Sequence, residues 1–221
     1  MIKAVIFDVD GTLIDSVEVH AKAWVWAFAR HGHNIALEDL RAQIGKGADQ
    51  LMPEYLSPEQ MERYGKQLEE DRQMFFKDEY YHHLTAFPMV RELFERLVAD
   101  GKKIVLASSA KADELEHYEE LANIKDLIGA STSADDAEKS KPHPDIFHAA
   151  MDRLEGIERD ETIVVGDTPW DAEAAGKAGL RTIGLLCGGF DTEELKAAGC
   201  VAIYANPADL LAHLDESPLA Q

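Results

Sequence analysis

A chain of 221 residues with 46% hydrophobic and 29% charged residues has the composition of a soluble globular protein, with room for one large domain or two small ones. Its formal net charge of −20 disfavours nucleic acid and anionic membrane as partners, and requires any site for an anionic ligand to be made locally positive. No apolar run approaches the roughly 18 residues of a membrane helix, no secretory leader stands at the N-terminus, and Cys187 and Cys200 are too few for a disulfide framework, so a cytoplasmic protein is expected.

Residues 2–7 form a short, β-branched, almost wholly apolar run that reads as a buried strand at the centre of a parallel sheet. Asp8 and Asp10 follow at once, and Gly11-Thr12 must turn the chain. Asp-Gly is also a hairpin signal, but Leu13-Ile14-Asp15-Ser16 leads into a helical pattern instead of a second alternating strand. Two carboxylates at a strand end repel one another unless a cation sits between them.

From residue 16 to about 83 the pattern is helical. Ser16 reads as an N-cap, with Val17, Ala21, Trp24 and Phe28 recurring at helical spacing. Trp24, Trp26 and Phe28 are expected mainly to pack within this stretch, Trp26, off the stripe, having a crevice-facing place as its alternative. Gly32 closes the helix, another begins near Leu37, and Gly45-Lys46-Gly47 forms a loop before Leu51. Ser57-Pro58 opens a long charged helix, with serine as cap and proline at the first position. His31, His33, His82 and His83 do not share one helical face as metal ligands would, and are expected to face solvent. This stretch, with no strand expected in it, reads as an all-helical insert.

After Pro88 helices and strands alternate. Val90, Leu93, Phe94, Leu97 and Val98 mark an amphipathic helix ended by Gly101. Strands are expected at 103–107, more weakly at 127–130, then at 162–165, 181–185 and, edge-like, 201–204. Helices are expected at 112–121, from Pro144, from Pro169 to Lys177 with Thr168 as N-cap, and at 207–214. This rhythm predicts an α/β core, a Rossmann-like parallel sheet with right-handed crossovers and helices on both faces. The insert after the first strand divides the chain into a core of residues 1–15 and 84–221 and a helical domain of residues 16–83.

In such a sheet the C-terminal ends of the strands share one edge, where ligands bind. That edge receives Asp8 and Asp10, then Ser108 and Ser109, then Asp167; Lys141 lies in a polar loop before a helix, and Asp171 four residues beyond Asp167. Each has a plainer reading. Ser108 can satisfy a strand-end backbone group, Lys141 can be a solvated lysine, and Asp171 can be the reciprocal cap partner of Thr168. Together they supply hard oxygen ligands suited to Mg²⁺, with a hydroxyl and an ammonium beside them. Such a set is suited to a phosphoryl group.

Asp8-Val9-Asp10-Gly11-Thr12, Ser108, Lys141-Pro142 and Gly166-Asp167-Thr168-Pro169-Trp170-Asp171 resemble the four motifs of the haloacid dehalogenase-like hydrolases. The helical insert is similar to that family's cap domain, and the overall pattern to its phosphoglycolate phosphatase and β-phosphoglucomutase branch. The resemblance implies Asp8 as nucleophile, forming an aspartyl-phosphate, and Asp10 as general acid and then base. It implies Mg²⁺ held by Asp8, the backbone carbonyl of Asp10 and Asp167, with Ser108 and Lys141 binding phosphoryl oxygens. Thr12 would orient Asp10, Ser109 would join the substrate side, and Asp171 would sit behind the metal or Lys141. Lys46 meets an anionic leaving group or belongs to a plain exposed loop; both readings stand. Asp10 itself argues against the dehalogenase and phosphonatase branches, which have no carboxylate there.

The expected activity is Mg²⁺-dependent hydrolysis of a small phosphorylated metabolite. A sugar phosphomutase is the alternative, and a receiver-type signalling module a remote one. Neither the ester nor the oligomeric state is legible in the sequence.

Overall fold

In the computed structural model, which describes residues 1–220, the N-terminal run forms strand β1 (Ala4–Phe7), with all four residues buried. A strand apolar on both faces fits a sheet covered by helices on both sides. The chain turns at Gly11, whose φ of +83° is costly for any residue with a Cβ. It then enters helices α1 (Val17–Arg30), α2 (Leu37–Arg41), α3 (Ala48–Leu51), α4 (Pro58–Gln60) and α5 (Lys66–Glu79). A π-helical stretch, Met61–Gly65, joins α4 to α5, and Ser57 and Gln60 cap the start reciprocally.

These helices enclose their own apolar cluster, including Ala21, Trp24, Phe28, Leu40, Leu51 and Leu68. Residues 13–15 and 85–87 run side by side where the insert leaves and rejoins the sheet, with Asp15 N–H donating to Thr85 O and Phe87 N–H to Leu13 O. Trp26 packs within the insert, as expected, and takes no place in a crevice: its ring stacks on Phe75 at 4.2 Å, with the Arg30 guanidinium over it, because α5 lies against that side of α1. Two expectations change here. His31 and His33 are half-buried, His31 paired with Asp71 and His33 with the Tyr64 hydroxyl, so the turn after α1 is tied to the α5 region. Ser16 occupies the cap position of α1, but its hydroxyl makes no capping bond and turns to Asp10 instead.

The remainder is α6 (Val90–Ala99), β2 (Lys103–Ala107), α7 (Ala112–Leu121), β3 (Ala130–Thr132), α8 (Asp145–Asp152), β4 (Thr162–Gly166), α9 (Pro169–Lys177), β5 (Arg181–Leu185), α10 (Thr192–Ala198), β6 (Cys200–Tyr204) and α11 (Pro207–Ala212). The six strands are all parallel in the order β3-β2-β1-β4-β5-β6, which puts β1 between β2 and β4. Alternate residues serve opposite faces. Val5 and Phe7 pack with Phe94, Leu106 and Val165, while Ala4 and Ile6 pack with Val105, Phe147 and Val164. Truncating Phe7, Phe94 or Phe147 to alanine costs about 3–5 kcal/mol.

The weak strand expected at 127–130 is displaced to β3. Leu127 and Ile128 pack onto the core from the preceding loop. The polar Ser131-Thr132 does the pairing: Thr132 O accepts from Ser108 N–H, and its hydroxyl donates to Leu106 O. Among the described residues no helix is long and apolar enough to cross a membrane.

Candidate active site

Because β1 lies between β2 and β4, the residues that follow these strands meet at one edge. Asp8 and Asp167 are both buried there, at 6% and 0% exposure. Thr12, also buried, places its hydroxyl between them, 2.6 Å from Asp167 Oδ1 and 3.1 Å from Asp8 Oδ2. It thus touches both carboxylates and makes no bond to Asp10, the residue it was expected to orient.

Lys141 is 1% exposed, so the loop before α8 delivers a buried ammonium and not a solvated one. It pairs with Asp8 Oδ1, with Asp171 Oδ1 at 2.7 Å, and with Ala107 O at 3.3 Å. Asp171 combines the two roles open to it. Its Oδ2 accepts from the Thr168 N–H and hydroxyl, closing the cap of α9, while Oδ1 faces Lys141. Ser108 is fully buried and its Oγ accepts from the Ala110 N–H, shaping the turn that presents Ser109 and Ala110 to a cavity.

Charge at this edge is unbalanced. Burial pushes the Asp8 carboxyl up to about 7, against the pull of Lys141 and with the push of Asp171. Burial and the neighbouring carboxylates Asp8 and Asp171 hold Asp167 well above the usual range. Burial lowers the affinity of Lys141 for its proton, but Asp171 and Asp8 more than offset this and hold it charged. Asp10 goes the other way: despite burial, His20 and Ser16 keep it below the ordinary carboxylate value.

Sequence patterning did not single out His20. Its Nε2 lies 3.0 Å from Asp10 Oδ1, Ser16 Oγ donates to the same oxygen at 2.7 Å, and the ring stacks on Phe76 at 4.1 Å. The signal available is their spacing: Ser16 and His20 are one helical turn apart immediately after the Asp8–Asp10 segment. Gly188 is the other omission. A Cβ there, or at Gly11, would collide with Asp167 Oδ2, so two stretches of bare backbone close on that oxygen.

The chemistry of a cation site is met by these residues. Asp167 Oδ2 is buried with no hydrogen-bond partner. Asp8, Asp167 and Asp171 each offer a carboxylate oxygen within 4.8 Å of the others. An all-oxygen, multiply anionic set with a net deficit of positive charge fits a hard divalent cation.

A cavity of about 210 Å³ opens beside Asp8 and Asp10. Trp24, Lys46 and Arg72 contribute from the helical insert, and Ser109 and Lys111 from the turn after β2. Lys46 is not a free surface lysine: its side chain is 6% exposed, paired with Glu54 at 2.9 Å and seated 4.1 Å above the Trp170 ring. The flanking glycines bring its loop onto the core, for a Cβ at Gly45 would press on Thr168 and one at Gly47 on Ser140.

A doubly covered parallel sheet with acids following its central strands, a buried lysine and a helical insert beside them defines a Rossmann-like α/β protein with an acidic site at the carboxyl edge of the sheet. The family model of haloacid dehalogenase-like hydrolases matches residues 2–179, and the chain belongs to that family. It is accordingly an enzyme. Phosphoglycolate phosphatase from Yersinia pestis is 32% identical over 216 residues, covering 95% of this chain and 92% of the relative. Phosphoglycolate phosphatase from Escherichia coli K12 is 30% identical over 233 residues, covering 95% and 91%. The crystal structure of a hydrolase from Pseudomonas syringae superposes with a TM-score of 0.86 at 32% identity, covering 97% of this chain and 98% of that one.

Proposed function

We propose that the protein is a Mg²⁺-dependent phosphatase that hydrolyses a small phosphate monoester, of the kind its phosphoglycolate phosphatase relatives are named for, through an aspartyl-phosphate on Asp8. The observation that carries this reading is the meeting of Asp8 and Asp167 at one hydroxyl beside a cavity that Asp10 also lines.

In the first half-reaction a carboxylate oxygen of Asp8 attacks phosphorus, the ester P–O bond breaks, and Asp10, which must first take up a proton because it is held ionised in this state, gives that proton to the departing alkoxide. In the second, Asp10 takes a proton from water as that water attacks phosphorus, releasing inorganic phosphate and restoring Asp8. Lys141 holds Asp8 in position and offsets part of the charge, and Ser108 shares in holding the phosphoryl oxygens. His20 and Ser16 hold the Asp10 carboxylate at the cavity wall. The carboxylates of Asp8 and Asp167 and the backbone carbonyl of Asp10 would hold Mg²⁺, with Asp171 behind them. Bound there, the ion supplies the positive charge that lets an anionic nucleophile approach an anionic phosphoryl group.

Residues 16–83 serve as a cap over a core of residues 1–15 and 84–221, with Lys46 and Ser109 facing the substrate. Two free cysteines and an anionic metabolite as substrate agree with a cytoplasmic enzyme. Phosphate release from a panel of monoesters, with and without Mg²⁺, tests the reading, using Asp8→Asn as the control. The wild type should release phosphate only with the metal, and the folded variant should release none. Retention of Mg²⁺-dependent turnover by Asp8→Asn refutes it; glucose 6-phosphate formed from β-glucose 1-phosphate without free phosphate would identify a mutase instead.

A further inference from the structure

Most basic side chains at the cavity are already engaged. His20 holds Asp10, Lys46 pairs with Glu54, and Lys111 donates to Gln73 at 2.9 Å. Arg72, projecting from α5, is the exception. Among the described residues no ion pair or hydrogen bond ties its guanidinium, and its Nε is buried without a partner. This occurs in a chain with 42 acidic residues against 22 lysines and arginines, where an idle guanidinium has many carboxylates to choose from.

Most acids around the cavity have other hydrogen-bond partners: Asp49 accepts from Gln50 and from the Ser140 N–H, and Glu69 accepts from Gln73. Glu114 is ion-paired with Lys77 at 3.8 Å, though among the described residues its buried Oε1 accepts no hydrogen bond and Arg72 does not supply one. The guanidinium carbon of Arg72 sits 5.2 Å from the centroid of the buried Trp24 ring, a contact that holds the group over the ring without using its N–H donors. A buried donor without a partner is destabilising, and a planar fork of donors matches a carboxylate or phosphate.

Asp10 comes from the core and Arg72 from the insert, so an ester oxygen held at Asp10 directs the rest of its alcohol toward the insert. The cavity of about 210 Å³ suits a leaving group of a few heavy atoms, being smaller than the about 300–1,000 Å³ of drug-sized sites. Resting on the phosphatase reading, we propose that Arg72 is the specificity-determining residue of this site, pairing with a second anionic group, carboxylate or phosphate, on the leaving group of the substrate.

Steady-state kinetics with three substrates test this: 2-phosphoglycolate carries a carboxylate, inorganic pyrophosphate a second phosphate, and 2-hydroxyethyl phosphate a neutral hydroxyl of similar size. The wild type should favour at least one anionic substrate over the neutral one by about 10- to 100-fold in kcat/KM. Which of the two it favours tells carboxylate from phosphate. Arg72→Met should erase that preference through KM, keep kcat on 2-hydroxyethyl phosphate within about threefold, and Arg72→Lys should restore part of the loss. Wild-type indifference to the second charge overturns the proposal without any variant being needed. So does an equal loss on all three substrates in Arg72→Met, or a preference that survives in it. Wild-type turnover of other monoesters in the panel but of none of these three also overturns the proposal, whereas failure on the whole panel removes the phosphatase reading beneath it.

Discussion

Thr12 Oγ1 donates to Asp167 Oδ1 at 2.6 Å, a contact between residues 155 apart in sequence, and the same hydroxyl lies 3.1 Å from Asp8 Oδ2. It is the only side-chain donor on Asp167 among the described residues. Thr12→Val keeps the shape and removes the donor, leaving two buried carboxylates to face each other with less to orient them. Partners of this kind are worth about 10- to 100-fold in metal affinity, so Mg²⁺ should bind correspondingly more weakly, with the far-UV spectrum unchanged. Calorimetric titration that finds wild-type affinity in Thr12→Val would show that the hydroxyl does not organise the pair.

The metal-free protein should carry an extra proton at this site. Asp8 rises from its usual 3.8 to about 7, and Asp167 is also raised, chiefly through burial. The native state therefore binds more protons than the unfolded chain between about pH 4 and 7, and this pair's contribution to stability falls as pH rises through that window. Asp10, held low by His20 despite its burial, behaves oppositely, its contribution being lost only as pH drops below the ordinary carboxylate range. A divalent cation competes with the shared proton, so its apparent affinity should fall about tenfold per unit below pH 7. Melting curves at pH 5.5 and 7.5 with Mg²⁺ or EDTA check this. Equal stabilisation by the metal at both pH values would refute it, and Asp8→Asn should flatten the difference.

Asp8, Asp10 and Asp167 are legible in the sequence because they follow the apolar strands β1 and β4, and parallel strands end together. Asp171 and Thr168 are legible as a cap, since that pairing spans three residues; the lysine on the other side of Asp171 comes from a distant loop and has no local signature. Lys141 gains its meaning from burial: in the sequence it stands in a polar loop before a helix, where a solvated lysine is the plainer reading. His20 and Arg72 lie on polar faces of helices that look solvated in isolation, and only the packing of α1 and α5 beside the cavity turns those faces inward. The same packing hides Trp26 against Phe75. Helical periodicity reports which side of a helix is apolar; it does not report that the opposite side borders a ligand site.

Gly188 offers a steric test of the cation site. Its backbone closes on Asp167 Oδ2, with no room for a Cβ. Gly188→Ala should force the Asp167 carboxylate aside, reducing both Mg²⁺ affinity and turnover by at least about tenfold, as misplacing a metal ligand does. The loss should shrink as Mg²⁺ is raised, because the displaced ligand weakens binding more than it alters the bound site. A loss that does not respond to the metal would place the damage elsewhere.

Lys141 separates stability from catalysis. It is 1% exposed and serves as the ammonium between Asp8 and Asp171, so Lys141→Met leaves two buried carboxylates without their counter-charge. Removing one partner of a buried pair costs about 3–5 kcal/mol. Part of this is recoverable by protonating a carboxylate, so urea unfolding in EDTA should show a larger deficit at pH 7.5 than at pH 5.5. Adding Asp171→Asn removes one of the two charges while keeping an oxygen for the Thr168 cap, and should return at least about 1 kcal/mol relative to Lys141→Met alone. Activity should stay lost in both, since restoring charge balance does not restore the group that orients Asp8. A double variant no more stable than the single one would mean that Lys141 stabilises the fold through packing and not through its charge.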